Sequence, residues 1–215
     1  MHYNIDELLH PPKIILPSHI KVVLASASPR RRELCQKMGL CFTICPADCS
    51  EDYDSAAVCP KDAVELLSRR KCLAVAESVG EDVLVIASDT MVEVEGEPQG
   101  KPRDHDHARK MLEKLSGKSN FVHTGIAVAY GGKCVSGKDT TEVCFREMTE
   151  EEILSYANSE EPMDKAGAYA IQGRGGDFIS TIKGELDTVV GLSCSLLADY
   201  ICELVPGAKK WKEEN

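Results

Sequence analysis

Three guanidiniums and two hydroxyls crowd one short segment, Ala25-Ser26-Ala27-Ser28-Pro29-Arg30-Arg31-Arg32. It follows the apolar run Lys21-Val22-Val23-Leu24-Ala25, which reads as a short buried strand. Ser28-Pro29 then opens a helix, with serine at the cap and proline in the first turn. Such a strand delivers the chain to a helix N-terminus, where outward N–H groups and the dipole favour an anion. Arginine suits phosphate oxygens because its planar fork donates two hydrogen bonds at once. The alternative is a capped surface helix whose arginines are simply solvated, and spacing alone leaves both readings open. A second candidate is Asp89-Thr90, expected at the carboxyl end of the strand Val83-Leu84-Val85-Ile86-Ala87. Ligands of open α/β sheets sit beyond the carboxyl ends of strands. A carboxylate there can hold a divalent cation or take a proton from water; an Asx turn is the commoner use of such an aspartate.

Two further segments carry polar groups on tight backbone. Gly100-Lys101-Pro102-Arg103-Asp104 is a rigid basic turn before a helix, and plain turn chemistry is its alternative. Asp164-Lys165-Ala166-Gly167-Ala168-Tyr169-Ala170-Ile171-Gln172-Gly173 is built of small residues that let backbone approach a ligand, with Lys165 and Gln172 as polar ends. Glu51 lies in an acidic stretch with Asp48, Asp52 and Asp54 and reads as solvated loop. Gly132-x4-Gly137-Lys138 nearly spells a P-loop, but Asp139 stands where Ser or Thr must meet magnesium, and strands flank it on both sides, so it is rejected. Neither an H-E-x-x-H zinc pattern nor a G-x-S-x-G elbow is present.

The elements that would position these residues alternate between strand runs and helical periods, which gives an α/β fold. A helix is expected from Ser28 to Gly39, and another from near Pro60 to Val79 with Val64, Leu67, Leu73 and Val75 inward. Asp104–Leu115 is a helix closed by Gly117. Phe121–Tyr130 and Thr141–Phe145 are strands flanking a glycine-rich turn at 131–138. Thr149-x-x-Glu152 is a capping box for a helix reaching about Ala157. Thr188-Val189-Val190 and a helix from about Leu192 to Leu204 close the fold. Residues 1–20, with Pro11, Pro12 and Pro17, read as an extended N-terminal lead-in; 21–205 form one mixed-sheet unit with two lobes; 206–215 are a polar tail.

The chain has 215 residues, enough for a real core, and 43% hydrophobic content excludes disorder and low-complexity polymers. A net charge of -10 repels nucleic acid and anionic membranes, so an anionic substrate needs a local basic pocket or a bridging metal. No run is long enough to span a bilayer, and Met1-His2-Tyr3-Asn4-Ile5-Asp6-Glu7 lacks the basic start of a signal peptide. The ten cysteines are therefore expected as reduced, mostly buried thiols in a cytoplasmic protein. Cys41-x3-Cys45-x3-Cys49 has the wrong spacing for an iron–sulfur cluster.

Together these segments resemble the Maf family of nucleoside triphosphate pyrophosphatases. The likeness runs through Leu24–Arg31, Ala87-Ser88-Asp89-Thr90, Lys101-Pro102-Arg103-Asp104, Leu115-Ser116-Gly117 and Glu161–Tyr169, in register over about residues 21–205. It implies an elongated, twisted mixed sheet flanked by helices, two lobes with a cleft between them, as in ITPase-like enzymes. It implies metal-dependent hydrolysis between the α and β phosphates, with Mg²⁺ or Mn²⁺ held by Glu51 and Asp89. Asp89 matches the catalytic carboxylate that takes a proton from water. Ser26, Arg31, Lys71, Lys101 and Lys165 would bind the triphosphate. Arg30, Thr90 and Gln172 match the branch resembling dTTP/UTP pyrophosphatases, which could extend to CTP and modified uridine triphosphates in a house-cleaning role. The alternatives are a 7-methyl-GTP pyrophosphatase and a non-catalytic nucleotide-binding regulator of cell division. A homodimer is suggested by the family alone.

Overall fold

The computed structural model describes residues 9–211; the first eight residues of the expected lead-in and the last four of the tail lie outside the described residues. In chain order the elements are β1 (Ile14–Ile15), β2 (Lys21–Leu24), α1 (Pro29–Lys37), β3 (Thr43–Ile44), α2 (Pro60–Val79), β4 (Val83–Val94) and β5 (Glu97–Gln99). There follow α3 (His105–Leu115), β6 (Ser119–Tyr130), β7 (Lys133–Phe145), α4 (Glu150–Ala157), β8 (Ile179–Lys183), α5 (Leu186–Val190), α6 (Cys194–Leu204) and β9 (Lys209–Lys210). The main sheet has seven strands in the order β3-β2-β4-β6-β7-β8, with β5 on β4. β2 runs parallel to β3 and β4, whereas β4–β5 and β7–β8 are antiparallel, so the sheet is mixed as expected. Among the described residues no helix is long and apolar enough to cross a membrane.

The chain divides into two compact units. The first comprises His10–Thr90, Thr124–Asp139 and the chain from Gly191 onward; the second holds Met91–His123 and Thr140–Val190. In the first, Val23 and Ala25 from β2, Val85 and Ala87 from β4, Ala127 and Ala129 from β6, and Cys72 and Val75 from α2 form one buried cluster. The small residues on the strands let α2 lie close. At Gly125 the approach is backbone to backbone: a Cβ there would sit 2.0 Å from the Val64 carbonyl oxygen. That contact fixes α2 about two helical turns, some 10 Å, from Lys71.

The buried face of α2 differs from the expected one at Leu73, which is 38% exposed. At roughly 100° per residue, Val64, Leu67, Ser68, Cys72 and Val75 share one stripe and Leu73 points the opposite way. Lys71 falls inside that stripe, so the helix turns an ammonium toward the sheet. The lead-in is extended but not idle. Ile14 is buried, its N–H bonds the Met38 carbonyl at 2.8 Å, and β1 pairs with β9 of the tail.

In the second unit, α4 begins with the expected capping box, Thr149 and Glu152 each bonding the other's backbone N–H. Edge-to-face pairs Phe145–Tyr169 and Tyr156–Phe178 fill its core at centroid distances of 4.9 and 5.2 Å. The expected glycine-rich turn at 131–138 shrinks to Gly131 and Gly132, because β7 already begins at Lys133. The rejected P-loop is thus a hairpin, and Lys138 pairs with Asp62 and Glu65 of α2 at 2.7 and 3.0 Å. Residues 186–190 are a short helix, and the last long helix starts at Cys194. None of the ten cysteines is in a disulfide, and only Cys35, Cys72 and Cys194 are buried, which corrects the expectation that most would be.

Candidate active site

The first unit assembles most of the expected site from three elements. Parallel pairing of β2 with β4 ends at Leu24 and Ile86, and one more bond, Ala25 N–H to the Ile86 carbonyl at 2.8 Å, holds the exit. The β2 chain then leaves the sheet through Ser26 and enters α1 at the Ser28 cap, with Pro29 in the first turn. β4 does not stop. It continues to Val94, so Asp89 and Thr90 stand in mid-strand, not at the carboxyl end that was expected. The signal was present: Val92 and Val94 are buried with Glu93 between them, the period of a strand. Asp89 nonetheless lies just past the last β2 pair, where the neighbouring strand has turned away and opened a position beside the helix tip.

Arg31 ties this position together. Its Nε donates to the Gly191 carbonyl at 2.9 Å, one Nη to Ser26 Oγ at 3.2 Å, and the other to Thr90 Oγ1 at 3.1 Å. Three of the five guanidinium N–H donors are thereby used, and two are left for an anion. Thr90 is in turn bonded to the buried Thr124 at 3.0 Å, and Ser88 donates to the same Gly191 carbonyl at 2.9 Å. Gly191 can present that carbonyl because its φ of +118° is open to glycine. Thr124, Ser88 and Gly191 are not among the expected site residues; Ser88 stands beside Asp89 in the Ala87–Thr90 segment, and a lone glycine between Val190 and Leu192 is the other trace. Arg30 is exposed on the first turn of α1, where its charge acts on Arg31.

From α2, Lys71 reaches Asp89 Oδ1 at 2.5 Å and Glu51 Oε1 at 2.6 Å. The Lys71 and Asp89 side chains are 12% exposed, whereas Glu51, on the loop before α2, is 68% exposed. Burial pushes the Asp89 carboxyl above its ordinary value, against the opposing pull of Lys71 and Arg31 and with help from Glu51. Burial works to lower the Lys71 pKa, but the two carboxylates outweigh it and the ammonium is held more firmly. Burial also lowers Arg31, partly offset by Asp89, from a starting value so high that the guanidinium stays charged. A carboxylate with a raised pKa, flanked by two fixed cations, can both accept a proton and sit beside a polyanion.

The remaining expected residues belong to the second unit. Lys101 is exposed before α3, whose cap is the expected Asp104. Lys165 pairs with its neighbour Asp164. Their two segments are joined, since Gly167 N–H bonds the Gly100 carbonyl at 3.1 Å. The small residues of 164–176 serve packing within this unit: a Cβ at Gly167 would meet Val92 at 3.0 Å, and one at Gly175 would meet the Tyr156 hydroxyl at 2.7 Å. Gln172, within this segment, is half-buried.

Among the described residues no group of three or more His, Cys, Asp or Glu could hold a metal. Asp89 and Glu51 nevertheless converge on one cation, the Lys71 ammonium, within 2.6 Å of each. Two hard carboxylate oxygens suit Mg²⁺ or Mn²⁺, which typically take one or two protein carboxylates and complete their shell with substrate phosphates and water. The donor set therefore fits the expected ion.

Comparison with known proteins gives the following. The family model described as "Maf-like protein" matches residues 21–204. A dTTP/UTP pyrophosphatase of Bacillus cereus (strain G9842) is 44% identical over 82% of this chain and 92% of its own length. A dTTP/UTP pyrophosphatase of Bacillus thuringiensis subsp. konkukian (strain 97-27) matches to the same extent. Among solved structures, a nucleoside-triphosphatase / dITP/XTP pyrophosphatase of Mycobacterium abscessus covers 86% of this chain and 95% of its own at 15% identity and a TM-score of 0.43, too distant to bear on the chemistry.

Proposed function

This chain belongs to the Maf-like protein family, and from that premise we propose that it hydrolyses dTTP and UTP to the monophosphate and pyrophosphate. The observation that carries this reading is the 44% identity, over most of both chains, to dTTP/UTP pyrophosphatases. The buried Asp89 carboxylate, held beside Lys71 and Arg31, supports it.

In this mechanism Asp89 takes the proton from the attacking water, and its raised pKa brings it nearer the pH at which a base is both ionised and effective. A positioned base of this kind is worth about 10²–10⁴-fold in rate. Lys71 and the two remaining Arg31 donors face the phosphate oxygens and offset charge that builds as pyrophosphate departs. Ser26 and Thr90 keep the guanidinium in one orientation, so it does not reorganise during the reaction. Glu51 and Asp89 would hold Mg²⁺ or Mn²⁺, which when bound neutralises triphosphate charge. Lys71 then has to exchange its carboxylate partners for phosphate, and Glu51 is the more exposed of the two. Lys101 and Lys165 are assigned to the triphosphate, and Arg30 and Gln172 to nucleotide choice, on the family likeness. Gln172 can donate and accept, as the O4/N3–H edge of uracil or thymine requires. Ten cysteines outside any disulfide support a cytoplasmic setting.

The test is pyrophosphate release from dTTP, UTP, CTP and 7-methyl-GTP, with and without Mg²⁺ or Mn²⁺. Turnover of dTTP and UTP that requires the ion is expected. Preference for 7-methyl-GTP, or binding without release, would overturn the assignment.

A further inference from the structure

Glu51 stands on the loop from β3 to α2. At one end of that loop the Cys45 N–H bonds the Leu24 carbonyl at 3.0 Å; at the other, the Asp54 carboxylate accepts from the Ala56 N–H at 3.0 Å. Between them, over residues 46–53, the backbone is neither helix nor strand. A ligand on such a segment loses conformational freedom when it takes up an ion, and that loss weakens binding unless the segment is ordered beforehand. Here a side chain of α2 does the ordering. Arg70 directly precedes Lys71, and one of its Nη atoms donates to the Ser50 carbonyl at 2.7 Å and to the Asp52 carbonyl at 2.8 Å. The residues on either side of Glu51 are thereby tied to one guanidinium. Ser50 closes the same three residues upon themselves, its Oγ accepting from the Asp52 N–H at 3.0 Å and donating to Asp52 Oδ2 at 2.9 Å. Glu51 is the middle residue of this clasp, and its carboxylate meets Lys71 at 2.6 Å.

We propose that Arg70 is a positioning residue for the metal ion: it fastens the Glu51 loop to α2 and so keeps the Glu51 carboxylate where Asp89 can share an ion with it. This rests on the reading of Glu51 and Asp89 as the holders of Mg²⁺ or Mn²⁺. Consecutive residues of one helix then grip Glu51 in two ways, Lys71 by its carboxylate and Arg70 by its backbone. The first grip ends when the ammonium turns to phosphate; the second does not depend on it. Charge and positioning predict opposite signs for the loss of Arg70. A guanidinium repels a cation, so removing its charge alone tightens metal binding. Removing a group that orients a ligand weakens metal binding, typically by about 10–100-fold.

The experiment measures Mn²⁺ binding to the substrate-free full chain, from the electron paramagnetic resonance signal of the free ion, and then the Mn²⁺ dependence of pyrophosphate release from dTTP. In Arg70→Met the Mn²⁺ dissociation constant is expected to rise about 10-fold or more, with kcat at saturating Mn²⁺ near that of the wild type. Arg70→Lys keeps an ammonium with three donors and should recover part of the loss. Arg69→Met removes the same charge one residue earlier, where the guanidinium bonds the Cys134 carbonyl at 3.1 Å, and should not weaken Mn²⁺ binding. Mn²⁺ bound by Arg70→Met as tightly as by the wild type, or more tightly, would overturn the role of Arg70 and leave the pyrophosphatase reading standing. A wild-type chain that hydrolyses dTTP but binds no Mn²⁺ would overturn the metal reading of Glu51 and this inference with it. The binding measurement needs no turnover, so absence of pyrophosphate release would count against the function alone.

Discussion

Two carboxylates in this protein each accept a short bond from a cation, yet their pKa values move in opposite directions. In the second unit, Glu152 is gripped by both Arg146 Nη atoms at 2.8 and 3.0 Å and by the Thr149 N–H at 2.9 Å. Arg146 first and the capping bond second hold its carboxyl down at about 2. In the first unit, Asp89 has Lys71 at 2.5 Å and the charge of Arg31 nearby, and its pKa still rises. The partners are comparable; the solvent is not. Glu152 keeps most of its water on an open helix end, so desolvation opposes the cation only weakly. Asp89 has lost its water inside the sheet, and desolvation exceeds what the cations return. An ion pair alone marks a structural brace as readily as a base, and burial separates the two.

Exchanging the groups that make the difference should break the contrast in graded steps. Asp89→Asn removes the base and is expected to cost about 10²–10⁴-fold in pyrophosphate release, with circular dichroism unchanged. Lys71→Met is expected to cost roughly 10²-fold and to move the acid limb of the pH–rate profile upward, because Lys71 is the largest influence holding Asp89 down against burial. Thr90→Ala frees one arm of Arg31 while leaving both charges in place. A hydrogen bond to a charged group is worth about 1.5–3 kcal/mol when lost, so kcat/KM should fall by about 10- to 150-fold. Glu152→Gln should leave kcat unchanged and lower the Tm slightly. Because Glu152 is depressed from 4.5 to about 2, its contribution to wild-type stability is present above pH 4.5 and fades as pH falls toward 2. A pH titration of Tm in both proteins checks that sign.

Much of this site could be read from residue types, and the failures have physical reasons. Ser28-Pro29 located the start of α1 and Pro60 that of α2, since caps and first-turn prolines are local signals. Asp89 was identified but set at a strand end, because the polar Ser88-Asp89-Thr90 step masks a strand that regains its alternation at Val92 and Val94. Lys71 had no local signal as a ligand; only its place within the buried stripe of α2 betrays it, and misplacing Leu73 inward hid that stripe. Gly125 and Gly191 act through tertiary approach, one beneath α2 and one beneath Arg31, and no pattern along the chain announces either. In and just after the small-residue run 164–173, Gly167 and Gly175 also make room for Val92 and Tyr156, a tertiary use that residue types alone do not show.

The most direct single measurement is the pH dependence of wild-type kcat/KM for dTTP, which reports the groups of the unliganded enzyme. Since Asp89 must be ionised to accept a proton, kcat/KM should fall as pH drops through its raised pKa, with a midpoint clearly above the ordinary aspartate value of 3.8. A midpoint at or below 3.8, or a profile flat through that range, would mean that the buried carboxylate is not the base.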